Sequence, residues 1–528
     1  MSVGRKLVLS ALAASLALGA AGCGNSDSSA EGKESPAAGA ASASAGASAA
    51  PAAPVAINIM GNYDKPDLSE SDKKFIGEIE QMNNVKLNFE IPPATGYNER
   101  LQLMLASGTY PDLVFFPNTT DQSFQNAVKD GIIRPVNDYL KNAPNLQKHT
   151  YQSSWDQLKV NQDDKIYGIP RTSVIRNDAF WVRKDWLDNI GFAIPKDNEV
   201  TLEQFEEILR KFTTDDPDKN GKKDTYGYVG AYNAQKVLDV IAPGAFGLTG
   251  WQKASGGSYD YMNPIYDQSG SKFKNALAFS AKMYTSGYFD PDSATNDEAK
   301  QRERFWRGLA GVMPGFAGHY DWHVGEMRKN IPAAELTYLF VKDDEGKVKG
   351  GTLTTSPTGV WGFWAITTAA KNPQKAVDVL DSYISDKMWN TTNSGYEGVD
   401  YTVEGSIKTT VKGMTTYVRR NTMRRANDIN FFFSVDTKEE VKTLVTPWLQ
   451  KSLETVFPAK DIGFLPDAGK KPLFQDYKKV WDQTVMKIIM GSEPVTKFDQ
   501  LLAGWYKNGG EEYVKEMNAY IKKMEASK

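Results

Sequence analysis

The sharpest local chemistry lies in Asp216-Pro217-Asp218-Lys219-Asn220-Gly221-Lys222-Lys223-Asp224. Oxygen-bearing side chains at the first, third, fifth and ninth places, with glycine at the sixth, reproduce the start of a calcium loop. Alternate residues aim oxygens inward and the glycine permits the sharp turn. Asp216, Asp218, Asn220 and Asp224 would supply side-chain oxygens, and Lys222 its backbone carbonyl. The twelfth place is Gly227, so the bidentate glutamate of an EF-hand is missing. A polar turn without metal is the competing reading.

Aromatic side chains are the second signal, with 12 Trp, 24 Tyr and 24 Phe in the chain. Sugars present apolar C–H faces that stack on such rings, while their hydroxyls need charged or amide partners. The clusters are His319-Tyr320-Asp321-Trp322-His323, Trp361-Gly362-Phe363-Trp364, the isolated Trp251, and Trp306 beside Arg304 and Arg307. Most tryptophans in a chain this size are core. His319, Tyr320 and Trp322 lead because they follow Phe316-Ala317-Gly318, a glycine-bearing strand end; Trp251 and Trp361 stand behind them. His319 and His323 are four apart, but no glutamate lies between them and no third ligand is evident, which argues against zinc. The chain carries no glycine-rich phosphate loop, no Gly-x-Ser-x-Gly elbow and no Cys/His pair for nucleophilic catalysis. With 65 acidic residues some carboxylate pair in a cleft is inevitable, so such a pair says little for a glycosidase.

The frame that must hold these residues is 528 long, enough for two or three domains. A net charge of −3 gives no cationic surface for nucleic acid, and one cysteine excludes an intrachain disulfide. Arg5 and Lys6 precede an apolar run at 7–18, which closes on Gly19-Ala20-Ala21-Gly22 before Cys23. That is a secretory signal, too short for a membrane span. Residues 24–54 are almost wholly Ala, Ser, Gly and Pro and are expected to stay disordered, a tether spanning on the order of 30 Å. Without 1–22 the chain has 60 basic against 65 acidic residues, so lipid rather than charge must hold it to an anionic membrane.

From Val55 the pattern alternates strand and helix. Strands are expected at 55–60, 85–91 and 113–116, and helices at 71–82, capped by Ser69 or Ser71, and at about 97–105. This alternation predicts βαβ units and a largely parallel sheet. Beyond Trp186 helices dominate, at 202–212, 273–286, 373–385, 476–490 and 511–524.

Several segments carry a resemblance. Ala106-Ser107-Gly108-Thr109-Tyr110-Pro111-Asp112 resembles a turn of the extracellular solute-binding proteins of bacterial ABC importers. The segment 131–139, then Ile166-Tyr167-Gly168-Ile169-Pro170 followed by 181–187, then Lys371-Asn372-Pro373-Gln374-Lys375-Ala376 and 395–401 are similar to successive family elements. The placing of Cys23 resembles a lipobox, whose thiol is acylated. The likeness spans 55–528 and is nearest the large lipoprotein branch associated with oligosaccharide uptake.

The resemblance implies an α/β, two-lobe periplasmic-binding-protein type II fold with ligand in the cleft between lobes. The first lobe would be 55–172 plus about 358–400, the second about 176–352 plus 405–528, with hinges near 172–176, 352–357 and 397–402. Closure about such hinges excludes water from a ligand. Arg176 joins the expected ligand contacts because it lies in the first hinge crossing. Loops like 216–224 bind calcium in alginate-binding members of the branch, which carry an acidic residue where this chain has Thr225. The implied function is a lipid-anchored, extracytoplasmic, monomeric binding subunit that captures an oligosaccharide and delivers it to permease subunits, without catalysis. A cell-surface polysaccharide hydrolase or lyase is the alternative from another class. A peptide or other small solute is the alternative ligand.

Overall fold

Alternating apolar residues, as in 85–90, make a strand covered on one face, and a continuous apolar run, as in 113–116, one covered on both. The computed structural model describes residues 53–63, 67–93, 96–160, 164–175, 178–231, 241–254, 256–349, 358–405, 407–411, 417–456, 460–461 and 464–526. Cys23, the signal and the tether therefore lie outside the described residues, as does Arg176. In chain order the strands are β1 (Val55–Met60), β2 (Val85–Glu90), β3 (Leu113–Phe116), β4 (Ile133–Arg134) and β5 (Ile169–Thr172). Next come β6 (Ala179–Arg183), β7 (Glu199–Val200), β8 (Tyr226–Tyr228), β9 (Gln252–Lys253) and β10 (Tyr261–Met262). Last are β11 (Ala310–Gly315), β12 (Leu336–Val341), β13 (Val360–Thr367), β14 (Tyr401–Glu404) and β15 (Ile407–Thr410).

Two mixed sheets organise the body. The first runs β2-β1-β3-β13-β4, with β5 also paired to β13; the second runs β7-β12-β6-β11-β8. The expected largely parallel sheet is corrected in a specific way. In the first sheet β13 is antiparallel to β3, β4 and β5. In the second, β6 is antiparallel to β11 and β12. Each antiparallel strand is the one that carries the chain in from the other sheet. Every strand of the second sheet falls between β5 and β13, so it is an insertion in the first.

The first helix, Glu70–Asn83, starts where sequence places it: Ser69 caps it and forms a capping box with Asp72. It buries Phe75, Ile76 and Ile79 against the first core, which also holds Phe115, Phe116, Phe124 and Phe363. Each such side chain contributes roughly 1.5–3 kcal/mol by leaving water. The helix Leu202–Thr214 has a second capping box, Thr201 with Gln204, and packs Phe205, Ile208, Leu209 and Phe212 under the second sheet. A separate helical core gathers Trp481, Trp505 and their neighbours near the C-terminus. One stretch departs from the expected lobes: Val418, Met423 and Phe431 belong to the first core, not the second.

Candidate functional site

Strand direction fixes where a site can form. β1 is parallel to β2 and β3, and β13 runs against β3 and β5, so β1, β2, β3 and β5 end on one edge. β8 and β7 are parallel to β11 and β12, so these four also end on one edge, which is where β6 begins. The chain leaves β5 at the first edge and enters β6 at the second. It leaves β12 at the second and enters β13 at the first. Both carboxyl edges therefore meet the crossings, and in open α/β sheets ligands bind outside carboxyl ends at such reversals.

At the second edge β11 ends at Gly315 and the chain turns into the helix Tyr320–Arg328. His319 and Trp322 project from the start of that helix, and Trp322 is 43% exposed. Its ring packs edge-on against Trp306 at 5.2 Å and His319 at 5.4 Å, and stacks on His323 at 5.1 Å. The Arg302 guanidinium lies 5.3 Å from the same ring. Tyr320 is half-buried beside Trp181. Two exposed rings, His319 and Trp322, are braced here by the part-buried Trp306 and the buried His323.

His323 is 2% exposed and accepts a 3.0 Å hydrogen bond at Nδ1 from Trp306 Nε1. Burial first, then His319 and Arg302, push its pKa down to about 3. It is a neutral imidazole whose Nδ1 lone pair is already used, which removes it as a zinc ligand. Among the described residues no three His, Cys, Asp or Glu side chains are grouped to hold a metal.

At the first edge β13 begins with a bulge between Val360 and Phe363. Gly362 sits there at φ +87°, and a Cβ would stand 2.1 Å from the Phe115 ring, so no other residue fits. The bulge turns Trp361 outward, 37% exposed, while Phe363 and Trp364 are buried. Arg171 Nε donates to the Trp361 carbonyl at 2.8 Å, and the guanidinium lies 4.5 Å from the Phe115 ring.

A third connection, expected from sequence at 397–402, joins the edges later in the chain, over 417–437. The turn around 417–424 is pinned across the first edge. Thr172 donates to the Arg424 carbonyl at 2.8 Å, Trp364 Nε1 to the Thr422 carbonyl at 2.9 Å, and the Arg419 amide to Asp72 at 2.7 Å. From there a chain of rings leads to the second edge: Phe431 to Phe432 at 5.8 Å, Phe432 to Phe316 at 4.6 Å, and Phe316 to His319 at 5.2 Å. Thr437 then donates to Asp321 at 3.0 Å. The overlooked signal was charge: residues 405–427 contain six Lys or Arg and no Asp or Glu.

Trp251 is a correction. It is 5% exposed and packed with Tyr513 at 6.4 Å in the helical core, so its ring face is taken up by protein.

In the loop 216–224 Asn220 bridges the acidic side chains, which do not close into a three-carboxylate group. The Asn220 side-chain amide donates to Asp218 at 2.8 Å and to Asp224 at 3.1 Å, while the Asn220 and Gly221 backbone amides donate to Asp216 at 3.1 and 3.0 Å. Burial first, then the neighbouring Asp224 and Asp216, raise the Asp218 pKa. The two missing acidic ligands have local reasons. Gly227 lies against the helix Leu202–Thr214, where a Cβ would stand 2.4 Å from the Leu209 carbonyl oxygen, and Thr225 donates to the Phe212 carbonyl at 2.8 Å.

A cavity of about 440 Å³ opens beside the first edge. Gln125, Asp156 and Lys159 line one side; the stacked pair Phe464 and Tyr520, 4.2 Å apart, lines the other. Burial, with Asp461 and Asp156, pushes the Tyr520 hydroxyl up to about 12.

A family model described as bacterial extracellular solute-binding protein matches residues 65–388. The chain is 26% identical over 470 residues to the Bacillus subtilis polygalacturonan/rhamnogalacturonan-binding protein YtcQ, covering 85% of this chain and 88% of the relative. It is 24% identical over 487 residues to lipoprotein LipO of the same organism, covering 88% and 91%. Among solved structures, the Streptococcus pneumoniae ABC-transporter substrate-binding protein FusA in complex with kestose aligns with a TM-score of 0.63 at 16% identity. That alignment covers 90% of this chain and 100% of the other.

Proposed function

The chain belongs to the bacterial extracellular solute-binding proteins, and from that premise we propose that it captures an oligosaccharide between its two carboxyl edges for an ABC importer. The observation that carries this reading is the pair of exposed tryptophans, Trp322 on one edge, its ring braced by Trp306, His319 and His323, and Trp361 on the other, its backbone carbonyl held by Arg171. A ring fixed in advance loses little entropy when a sugar face stacks on it. YtcQ and FusA, the one named for polysaccharides and the other solved with kestose, support carbohydrate as the class. The lobes hold and release the ligand unchanged; the rings and arginines at these edges serve binding, and the one buried histidine among them is held neutral.

A thermal-shift screen of the purified chain against neutral and acidic oligosaccharides tests this, because ligand bound to the native state raises stability by mass action. Stabilisation by peptides and none by oligosaccharides would replace the ligand class. Release of reducing ends from a polysaccharide would replace the role by that of a hydrolase.

Two finer features belong to the same reading. Cys23 is the acylated residue that tethers the body to the membrane, supported by the lipoprotein relative LipO. Cys23→Ser is expected to release the protein or leave it as precursor, and a variant still partitioning into a detergent phase would overturn the anchor. Calcium is the ion of loop 216–224, held by Asp216, Asp218, Asn220, Asp224 and the Lys222 carbonyl. The raised Asp218 pKa supports this, since a dication would relieve the crowding of carboxylates. Its role is structural. Chelator should lower the melting temperature of the wild type and leave an Asp218→Asn, Asp224→Asn variant unmoved; a wild type indifferent to chelator and to added calcium would remove the ion.

A further inference from the structure

We infer that the ligand is an acidic oligosaccharide and that Arg420 receives its carboxylate. This deepens the carbohydrate reading and rests on it. The turn that crosses the first edge holds four arginines, and they are not equivalent. Arg419 is buried with Asp400, 3.4 Å away, and donates to the Thr392 carbonyl at 2.7 Å. Arg425 pairs with Asp386 at 2.6 Å and lies over Trp389. Arg424 lies 4.7 Å from the Phe431 ring and donates to the Asn421 side chain.

Arg420 shares the Phe431 ring at 4.6 Å and donates through Nη2 to the Phe431 carbonyl. Its Nε is buried with no acceptor. Among the described residues no carboxylate pairs with it, and the neighbouring charge acting on it is another cation, Arg419. Burial and that neighbour lower its pKa to about 10. A half-desolvated cation without a counter-charge is costly to hold, and the cost is recovered when a bound anion completes the pair.

Position makes the ligand the natural source of that anion. Phe431 begins the run of rings that ends at His319 and Trp322. The buried Phe431 and Phe316 fix the two ends of that run relative to one another, so a ligand that reaches from the exposed Trp322 across to the first edge brings one end to Arg420. Hydroxyls alone would leave its fork half filled, whereas a uronate carboxylate matches the planar guanidinium with two parallel hydrogen bonds.

Titration calorimetry of the purified chain with a uronate trisaccharide and with its methyl ester is the test. The acid is expected to bind more tightly than the ester by on the order of tenfold or more, with an advantage that shrinks as salt is added. Arg420→Gln should bring acid and ester together, Arg420→Lys should keep part of the preference, and Trp322→Ala should weaken both forms alike. Equal binding of acid and ester by the wild type overturns this inference and leaves the carbohydrate reading standing. Binding of neither form, nor of any neutral oligosaccharide, overturns both. The wild-type comparison of acid with ester needs no variant to fold.

Discussion

Two regions of this protein are dense in aromatic rings, and they do opposite work. In the helical core Tyr266 and Trp505 lie parallel at 4.1 Å, Phe474 and Tyr513 stack at 5.2 Å, and Trp251, Trp481 and Trp505 are all buried. At the second carboxyl edge Trp306, His319, Trp322 and His323 also touch, yet Trp322 keeps 43% of its surface open. Ring type and ring density do not separate the two. Position does: the core rings lie between packed elements, while Trp322 stands in the first turn of the helix that follows β11, with one side of its ring open. On the proposed reading, the open ring at the edge serves the ligand and the closed ones serve the core.

The largest effect that could break this contrast lies in the core. Trp251→Ala should lower stability by about 3–5 kcal/mol in urea unfolding and leave affinity in the folded fraction unchanged. Lost affinity with stability intact would return Trp251 to the ligand contacts. At the edge the expectation reverses: Trp322→Ala should weaken oligosaccharide binding by about 2 kcal/mol in calorimetry, with a small change in melting temperature. A variant that unfolds but binds normally when folded would make the edge cluster a second core.

His323 sharpens the comparison through pH. Its pKa is depressed from 6.5 to about 3, so the folded state favours the neutral ring and the unfolded state binds the extra proton. The stability is present above pH 6.5 and drains away as pH falls toward 3, at up to about 1.4 kcal/mol per unit. His323→Gln should remove that part of the slope, read as the difference between urea melts of the two proteins at pH 7 and 4.5. Parallel slopes would mean the ring is not held neutral. The smallest effect belongs to Trp361, on the opposite edge, where alanine should cost about 1 kcal/mol of affinity, roughly additive with Trp322→Ala. Full additivity fits a ligand spanning both edges; no effect at all would confine binding to the second edge.

Much of this was legible in the residues. Periodicity placed β1, β3 and the helices Glu70–Asn83 and Leu202–Thr214 because each pattern is local and each helix start has its own capping box. The strand end before Trp322 was legible from its glycines, and the ring that follows it is exposed. Trp251 was misread because it stands in a turn, where spacing says nothing about which face is covered. Gly227 and Thr225 registered only as missing calcium ligands. Their actual work, close helix packing and a carbonyl partner, depends on a neighbour far along the chain. The arginine turn escaped for the same reason: its four cations have no periodic pattern, and the fold sets the turn against the end of β5 through the Arg424 carbonyl. The antiparallel setting of β6 and β13 is likewise a property of connectivity, which no single segment encodes.

The nesting of one sheet inside the other has a further consequence, in time rather than space. The second sheet is built from one contiguous stretch, 179–341, whereas the first cannot close until β13 arrives, long after β3 has been made. Until then Leu113, Val114, Phe115 and Phe116, all buried in the finished protein, form an unpaired apolar edge of the kind that seeds aggregation. A chain interrupted between residues 341 and 360 would carry a complete inner sheet and an open outer one. As the chain lengthens, the inner sheet is thus complete before the outer one can close, and the strand that closes the outer sheet is the same strand that presents Trp361.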